Sequence, residues 1–390
     1  MDLKNNRDTQ KKQCQCYFAG KTKYIFNKEK REMKVYNFSA GPAMLPAEVM
    51  EQIKEEFTDY RNTGCGLIEL SHRGPQFSDI MERVDANIRE LMNIGDDYSI
   101  IFVQGGASMQ FAMIPMNLML PGGFAEYADT GTWSSKAMKE AELFGEVKTV
   151  ASSKSTNYDR IPEIRHWNPD PEASYLHITT NNTIAGTQYH SFPEIKTPLI
   201  ADMSSDIMSR VIDINSFGMV YAGAQKNLGP SGVALVIIRK DLAERTPADI
   251  PTMLKYKTYI EKGSMFNTPP TFAIYALNLV MEWLKSKGGI AEIEEINDAK
   301  SEAVYELIDS TQFYNCPVEA ASRSRMNIVF RLPSEELEAK FIKEAADAGL
   351  VGLKGHRSVG GIRASIYNSM PVKGVETLID FMNDFEKNNG

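Results

Sequence analysis

The chain has 390 residues, 43 Lys plus Arg against 51 Asp plus Glu, 43% apolar residues and a formal charge of −8. That is the composition of a globular protein with room for two or three domains, and it excludes disordered, collagen-like and low-complexity classes. A net negative charge repels a phosphate backbone, so no nucleic-acid role is expected.

In chain order, the first 32 residues stand apart, with nine basic and four acidic side chains. They lack the apolar h-region of a secretory signal and carry the acidic residues that transit peptides avoid. They read as a mobile tail outside the folded part, and Met33 offers an alternative start just before the first motif-bearing segment. No apolar run reaches the length of a membrane span; the richest, residues 111–120, contains Pro115 and Asn117. The four cysteines, Cys14, Cys16, Cys65 and Cys316, form no CxxC pair and are too scattered for a disulfide framework, so a reducing cytoplasm is expected. The five histidines never occur as HxH or HExxH, and no metal site is expected.

From Ser99 onward, short β-branched runs alternate with longer helical patterns. SIIFV (99–103) precedes QGGAS and an apolar helix. YLHIT (175–179), PLIAD (198–202), MVYAG (219–223) and VALVIIR (233–239) are further strand candidates. Continuous apolar runs mark strands buried on both faces, which predicts an α/β fold with a mainly parallel sheet covered by helices. The pattern FAIYALNLVMEWLKSKGG ends at Gly288 and Gly289, a helix stop. Beyond it come a charged helix (290–309), MNIVFRL (326–332), a helix (334–349), IRASIY (362–367) and a last helix (372–387), a smaller α+β unit. The expected organisation is a tail (1–32), a segment packing with the small domain (33–47), a large domain (48–289) and a small C-terminal domain (290–390).

Three local patterns carry chemistry. In YAGAQKNLGPSG (221–232), Lys226 directly follows a buried strand among glycines, where an unpaired charge is costly. Desolvation lowers a lysine's pKa and makes its amine a nucleophile able to form a Schiff base; the alternative is a side chain projecting into water. Asp202 ends PLIAD, and ligands of open parallel sheets bind at the carboxyl ends of strands. A carboxylate there suits a pyridinium nitrogen, or alternatively caps a helix. In VQGGASMQF (103–111), a strand, two glycines and a helix start form a geometry that cradles phosphate through backbone N–H groups, although the string also suits a plain tight turn.

These patterns belong to a longer series: NFSAGPAMLP (37–46), ELSHRG (69–74), QGGAS (104–108), TGTWS (130–134), NNTIAGT (181–187), ADMSS (201–205), AGAQKNLGPSG (222–232), GSMFNTPPT (263–271), SRMN (324–327) and LKGHRSVGGIRASIYN (353–368). With them, residues 33–390 resemble the phosphoserine aminotransferases, a class V aminotransferase family with the fold type I pyridoxal phosphate architecture. The resemblance implies that pyridoxal 5'-phosphate is held by Lys226 as a Schiff base, with the same lysine shuttling the proton. It implies Asp202 on the ring nitrogen, Trp133 stacked on the ring, Thr183 on the ring hydroxyl, and Ala107, Ser108 and Gln225 on the phosphate. Asn267 and Thr268 would reach the cofactor of a second subunit, which makes the active form a homodimer. Substrate would be held by Arg363, at its carboxylate, and by the pairs His72–Arg73 and His356–Arg357.

Arg363, set between apolar neighbours in a strand, independently asks for an anionic partner. Two His-Arg pairs suit a phosphate carrying about 1.5 to 2 negative charges, and also the side-chain carboxylate of glutamate. The implied reaction takes the amino group of L-glutamate to 3-phosphooxypyruvate, giving O-phospho-L-serine and 2-oxoglutarate, with 3-hydroxy-2-oxo-4-phosphooxybutanoate as a second acceptor. Ala40 departs from the family pattern, in which some members carry Ser at that position.

Overall fold

The computed structural model describes residues 35–390; the tail 1–32 and Met33 lie outside the described residues. Its strands in chain order are β1 (Tyr36–Asn37), β2 (Tyr98–Val103), β3 (Phe124–Asp129), β4 (Glu146–Ser152), β5 (Leu176–Thr179), β6 (Asn181–Asn182) and β7 (Thr187–Gln188). They continue with β8 (Leu199–Asp202), β9 (Met219–Gly223), β10 (Ala234–Arg239), β11 (Asn327–Phe330), β12 (Leu350–Val351) and β13 (Ile362–Ser365). Seven form one sheet in the order β2-β10-β9-β8-β5-β3-β4. Only β10 runs against its neighbours, and the four remaining pairings are parallel. The sheet is therefore mainly parallel, as its apolar runs predict, and the fold is α/β.

Successive residues of a strand point to opposite faces, and both faces here are covered. On β10, Leu235 and Ile237 pack in one cluster with residues of the helices Pro75–Met92 and Thr271–Ser286. Val236 and Ile238 pack in another with Phe111, Met113 and Ile114 of the helix Gly106–Leu118. Two-sided burial of this kind leaves no polar face to alternate. β3 and β4 escape that signature because β3 carries Glu126 and Asp129, while β4 lies at the sheet edge with no fully buried residue.

A third cluster joins Tyr36 and Phe38 to Val304, Ile308, Phe330, Phe341, Leu378 and Phe385. β1 pairs in parallel with β12, Tyr36 opposite Leu350. β11 and β13 pair antiparallel, which sets Arg363 opposite Val329.

The strand directions position the site. β2, β3, β4, β5, β8 and β9 all end at the edge of the sheet where the antiparallel β10 begins. Six loops and one strand entrance therefore converge there, the place where open α/β sheets bind ligands.

Candidate active site

At that edge lies a cavity of about 320 Å³. The loop after β2 enters it through Gly105 (φ 91°) and Gly106 (φ 64°), a left-handed pair that a side chain would strain. A Cβ on Gly105 would lie 2.7 Å from the Cβ of Met109. The turn presents the start of the helix Gly106–Leu118, with Ala107 and Ser108 on the cavity wall. The first N–H groups of a helix have no partner within it, and with its dipole they attract an anion. Gly223, ending β9, permits a close approach, since a Cβ there would lie 3.4 Å from the backbone nitrogen of Ala107.

Lys226 and Asp202 face the same cavity. Asp202 is buried, and its Oδ1 accepts from the backbone nitrogen (2.9 Å) and the Oγ (2.6 Å) of Ser204. The residues that follow form turns rather than a helix, so this carboxylate closes a turn instead of capping a helix. Burial pushes the Asp202 carboxyl above the usual range, while Lys226, Ser204 and Tyr221 pull it back. Burial likewise pushes the Lys226 amine down, against the attraction of Asp202 and Asp206, and Arg363 adds to the lowering. The lysine turns into the cavity rather than out to water, its Nζ 6.0 Å from the centroid of the Trp133 ring.

Trp133 also lines the cavity, and its indole N–H donates to the Thr183 hydroxyl at 3.1 Å. The Thr183 carbonyl accepts from Arg363 Nη1 at 3.1 Å, so cavity wall and arginine are linked through one residue. The Nε of Arg363 is buried without a partner. Arg363 shares a second cavity of about 290 Å³ with His356 and Tyr158. Burial, and then the charges of Arg363, Arg357 and Lys136, push the His356 imidazole below its usual pKa. Arg357 is exposed on the loop after His356. Gln225 lines the Lys226 cavity, and its carbonyl accepts from the Ala43 nitrogen at 2.8 Å. The Ala40 carbonyl accepts from the Tyr367 hydroxyl at 2.8 Å, a bond indifferent to the missing Ser.

Six anticipated residues line neither cavity: Thr183, which touches the first through the Trp133 indole, the exposed Arg357, and four others. His72 and Arg73 lie in the turn before the helix Pro75–Met92, with His72 Nε2 buried and unpartnered. Asn267 and Thr268 lie before the helix Thr271–Ser286, where the Thr268 carbonyl accepts from Gln104 at 3.0 Å.

Other wall residues pass unnoticed in the sequence. Thr179 ends β5 in register with Asp202, on the same face, and its buried hydroxyl has no partner. In the string LHIT it looks like an ordinary β-branched strand former. Its position at a strand's carboxyl end, two residues on from another residue of the same face, is the signal that could have found it. Lys136, exposed one turn beyond Trp133 and off that wall, sits 4.6 Å from the indole centroid and had no motif to mark it.

These residues fit pyridoxal phosphate: a phosphate cradle at a helix start, an amine of lowered pKa, a buried carboxylate, an aromatic face and an unpaired hydroxyl, all on one cavity. Among the described residues, no group of three or more His, Cys, Asp or Glu could hold a metal ion, and no helix is long and apolar enough to cross a membrane.

The aminotransferase class-V family model matches residues 35–378. The phosphoserine aminotransferase of Desulfotalea psychrophila is 52% identical over 356 residues, covering 91% of this chain and 99% of the relative. That of Nitrosomonas europaea is 50% identical, covering 91% and 99%. The solved phosphoserine aminotransferase of Bacillus circulans subsp. alkalophilus superposes with a TM-score of 0.90 at 49% identity, covering 92% of this chain and 99% of that one. A pyridoxal phosphate-bound phosphoserine aminotransferase from Trichomonas vaginalis gives 0.86 at 38% identity, covering 90% and 100%. The chain belongs to the phosphoserine aminotransferases, pyridoxal phosphate-dependent enzymes of fold type I within the aminotransferase class-V family.

Proposed function

We propose that this chain catalyses the reversible transfer of the amino group of L-glutamate to 3-phosphooxypyruvate, giving O-phospho-L-serine and 2-oxoglutarate, in the cytoplasm. The observation that carries the reading is Arg363: a guanidinium with an unpartnered buried Nε, anchored to the Thr183 carbonyl, beside His356. A planar fork held by one edge is suited to a carboxylate, and the surrounding cations to a second anionic group.

Pyridoxal phosphate, when bound, supplies an aldehyde that exchanges one amine for another and a ring that draws electron density from the substrate's Cα. Lys226 would hold the group through its amine, and when free that amine would move the proton at the substrate's Cα. Its lowered pKa keeps a larger fraction of the amine neutral and able to accept that proton. Asp202 would hold the ring nitrogen, Trp133 would lie against the ring, Thr183 would hold the ring hydroxyl, and Ala107, Ser108 and Gln225 would hold the phosphate. Arg363 fixes the α-carboxylate in both half-reactions. His72, Arg73, Asn267 and Thr268, absent from their own cavity wall, complete the site of a second copy, so the active form is a homodimer. The same cationic pocket accepts 3-hydroxy-2-oxo-4-phosphooxybutanoate, a role in pyridoxal phosphate biosynthesis alongside serine biosynthesis. Residues 290–390, with the segment 33–47 packed on them, make a small domain beside the large one at 48–289, a division that the cluster joining Tyr36 and Phe38 to Val304 and Phe385 supports.

The test uses the purified holoenzyme. It should be yellow, bleach with glutamate and recover its colour with 3-phosphooxypyruvate. Arg73→Ala and Arg357→Ala should each lower kcat/KM for phosphoserine by about 10- to 100-fold, the loss of one charge-assisted contact, without altering cofactor uptake. Equal activity of the parent enzyme towards alanine and phosphoserine would overturn the assignment.

A further inference from the structure

Asp202 does not stand alone under the cavity. β8 and β9 pair in parallel with Asp202 directly opposite Tyr221, so both side chains leave the same face of the sheet. On the next strand His177 lies two residues before Thr179, the register partner of Asp202, and so shares that face. The His177 Nε2 lies 2.9 Å from the Tyr221 hydroxyl, and both side chains are fully buried. The Tyr221 hydroxyl faces the Asp202 carboxylate and lowers its proton affinity, while the carboxylate raises that of the phenol.

The donor count fixes the direction of this row. An ionised carboxylate can only accept, so the single Tyr221 proton goes to Asp202, and the Tyr221 oxygen must accept from His177 Nε2–H. The other ring nitrogen, Nδ1, then carries no proton, and it is the His177 nitrogen that has no partner. An orphan lone pair in an apolar layer costs less than an orphan N–H. The His177 ring is held in place by stacking on Tyr127, centroids 4.9 Å apart and planes 26° from parallel. The groups facing this row are the phenols of Tyr127 from β3, Tyr175 just before β5, and Tyr256 from the helix Tyr256–Glu261, while Lys226 and Asp206 face Asp202 itself. No second carboxylate bonds His177 or Tyr221, so the row is neutral up to Asp202.

We propose that His177 and Tyr221 are positioning residues for the cofactor: a one-way row of hydrogen bonds, His177 to Tyr221 to Asp202, that keeps the Asp202 carboxylate ionised and oriented towards the ring nitrogen. Burial alone works against that ionisation, and the Ser204 donors offset it at only one oxygen. Breaking the row at either member raises the proton affinity of Asp202. The proton shared with the ring nitrogen then lies closer to the carboxylate, the ring draws fewer electrons, and the cofactor–lysine chromophore becomes more basic.

The proposal rests on the cofactor assignment, and the experiment separates the two. Parent, Tyr221→Phe, His177→Phe and His177→Gln holoenzymes are titrated from acid to alkaline pH, following the visible absorbance of the cofactor–lysine chromophore. Tyr221→Phe and His177→Phe should raise the midpoint by about one pH unit and lower kcat about tenfold with little change in KM for glutamate. His177→Gln, which retains an N–H near Nε2, should return most of both. Tyr221→Phe keeps the ring that packs, so it remains informative if a His177 variant fails to fold. Folded, yellow Tyr221→Phe protein with the parent midpoint would overturn the proposal. A parent protein that forms no chromophore with pyridoxal phosphate would instead overturn the cofactor assignment beneath it.

Discussion

Replacing Arg363 with Lys keeps the charge and removes the planar fork, and the structure gives the scale of the loss. In the free protein one edge of the guanidinium is spent on the Thr183 carbonyl at 3.1 Å, and the buried Nε is unpaired. A bound carboxylate would satisfy that Nε in a charge-assisted bond worth about 1.5 to 3 kcal/mol, and a lysine reaching from the same Cα keeps at best one bond to the substrate and none to Thr183. The expected cost is about 2 to 3 kcal/mol, or about 30- to 150-fold in kcat/KM. Because glutamate and phosphoserine both present an α-carboxylate, the loss should be equal within a few-fold for the two half-reactions. Each half-reaction can be followed separately by single-turnover absorbance of the cofactor, and Arg363→Ala should show a larger loss with the same symmetry. A loss confined to one substrate, or Arg363→Lys within threefold of the parent, would refute the clamp and reassign Arg363 to the variable end of the substrate.

Gly105→Ala should weaken the cofactor more than the fold. The left-handed turn at φ 91° costs a side chain about 1 to 2 kcal/mol, and the 2.7 Å clash with Met109 shifts the N–H groups of Ala107 and Ser108. Equilibrium titration of the apoenzyme should show a cofactor dissociation constant raised by about tenfold or more. Lys300 is 2% exposed and donates to the carbonyls of Ile366, Tyr367 and Met370 at 3.1, 2.9 and 3.1 Å. Burial pushes its ammonium down to about 7 from an ordinary 10.5. Between those values the unfolded chain binds more protons than the folded one, so stability rises with pH through that window. Lys300→Met, which leaves three carbonyls unpaired, should cost about 3 kcal/mol at pH 7, and urea unfolding at pH 7 and 9 should show the gap to the parent widening. A gap independent of pH would show that the ammonium keeps its proton across the window.

What could be read in the sequence, and what could not, follows from how each side chain is used. The five apolar runs became strands because residues such as Val236 and Leu235 are buried on opposite faces. The helices Ala47–Glu56 and Thr132–Ala141 offer little to a periodicity search: one buries only Val49 and Ile53, the other only Ser134, Ala137 and Ala141. The chemistry on loops, Lys226, Asp202 and the Gly105–Gly106 turn, was legible because charge or glycine beside a buried strand is costly without a purpose. The same reasoning is blind to Thr179, His177 and Tyr221, whose side chains suit a strand interior and show a polar role only once the register is known. It is also blind to convergence: two His-Arg pairs read alike along the chain, yet only His356 shares a cavity with Arg363.

The distribution of charge ties these observations together. With nine basic and four acidic residues in the first 32, residues 33–390 keep 34 basic and 47 acidic ones, a net −13. In so acidic a chain most buried or half-buried arginines find carboxylates, as Arg83 does with Glu282, Arg210 with Asp206 and Arg331 with Glu338. Among the described residues Lys136, Arg357 and Arg363 do not, and all three act on His356. Leaving the half-buried Arg363 with an unpaired Nε is unfavourable unless an anion spends part of its time there, and the exposed Lys136 and Arg357 add to the field at the same imidazole. Burial and then that field lower the basicity of His356, and a substrate phosphate would oppose the field's part of it, since its charge favours the imidazolium that the cations disfavour. His356 would then gain a proton as the phosphate arrives, adding a donor only when the anion is present. A ligand that satisfied both groups would carry charge at both ends: a carboxylate for Arg363 and a second anion for the histidine.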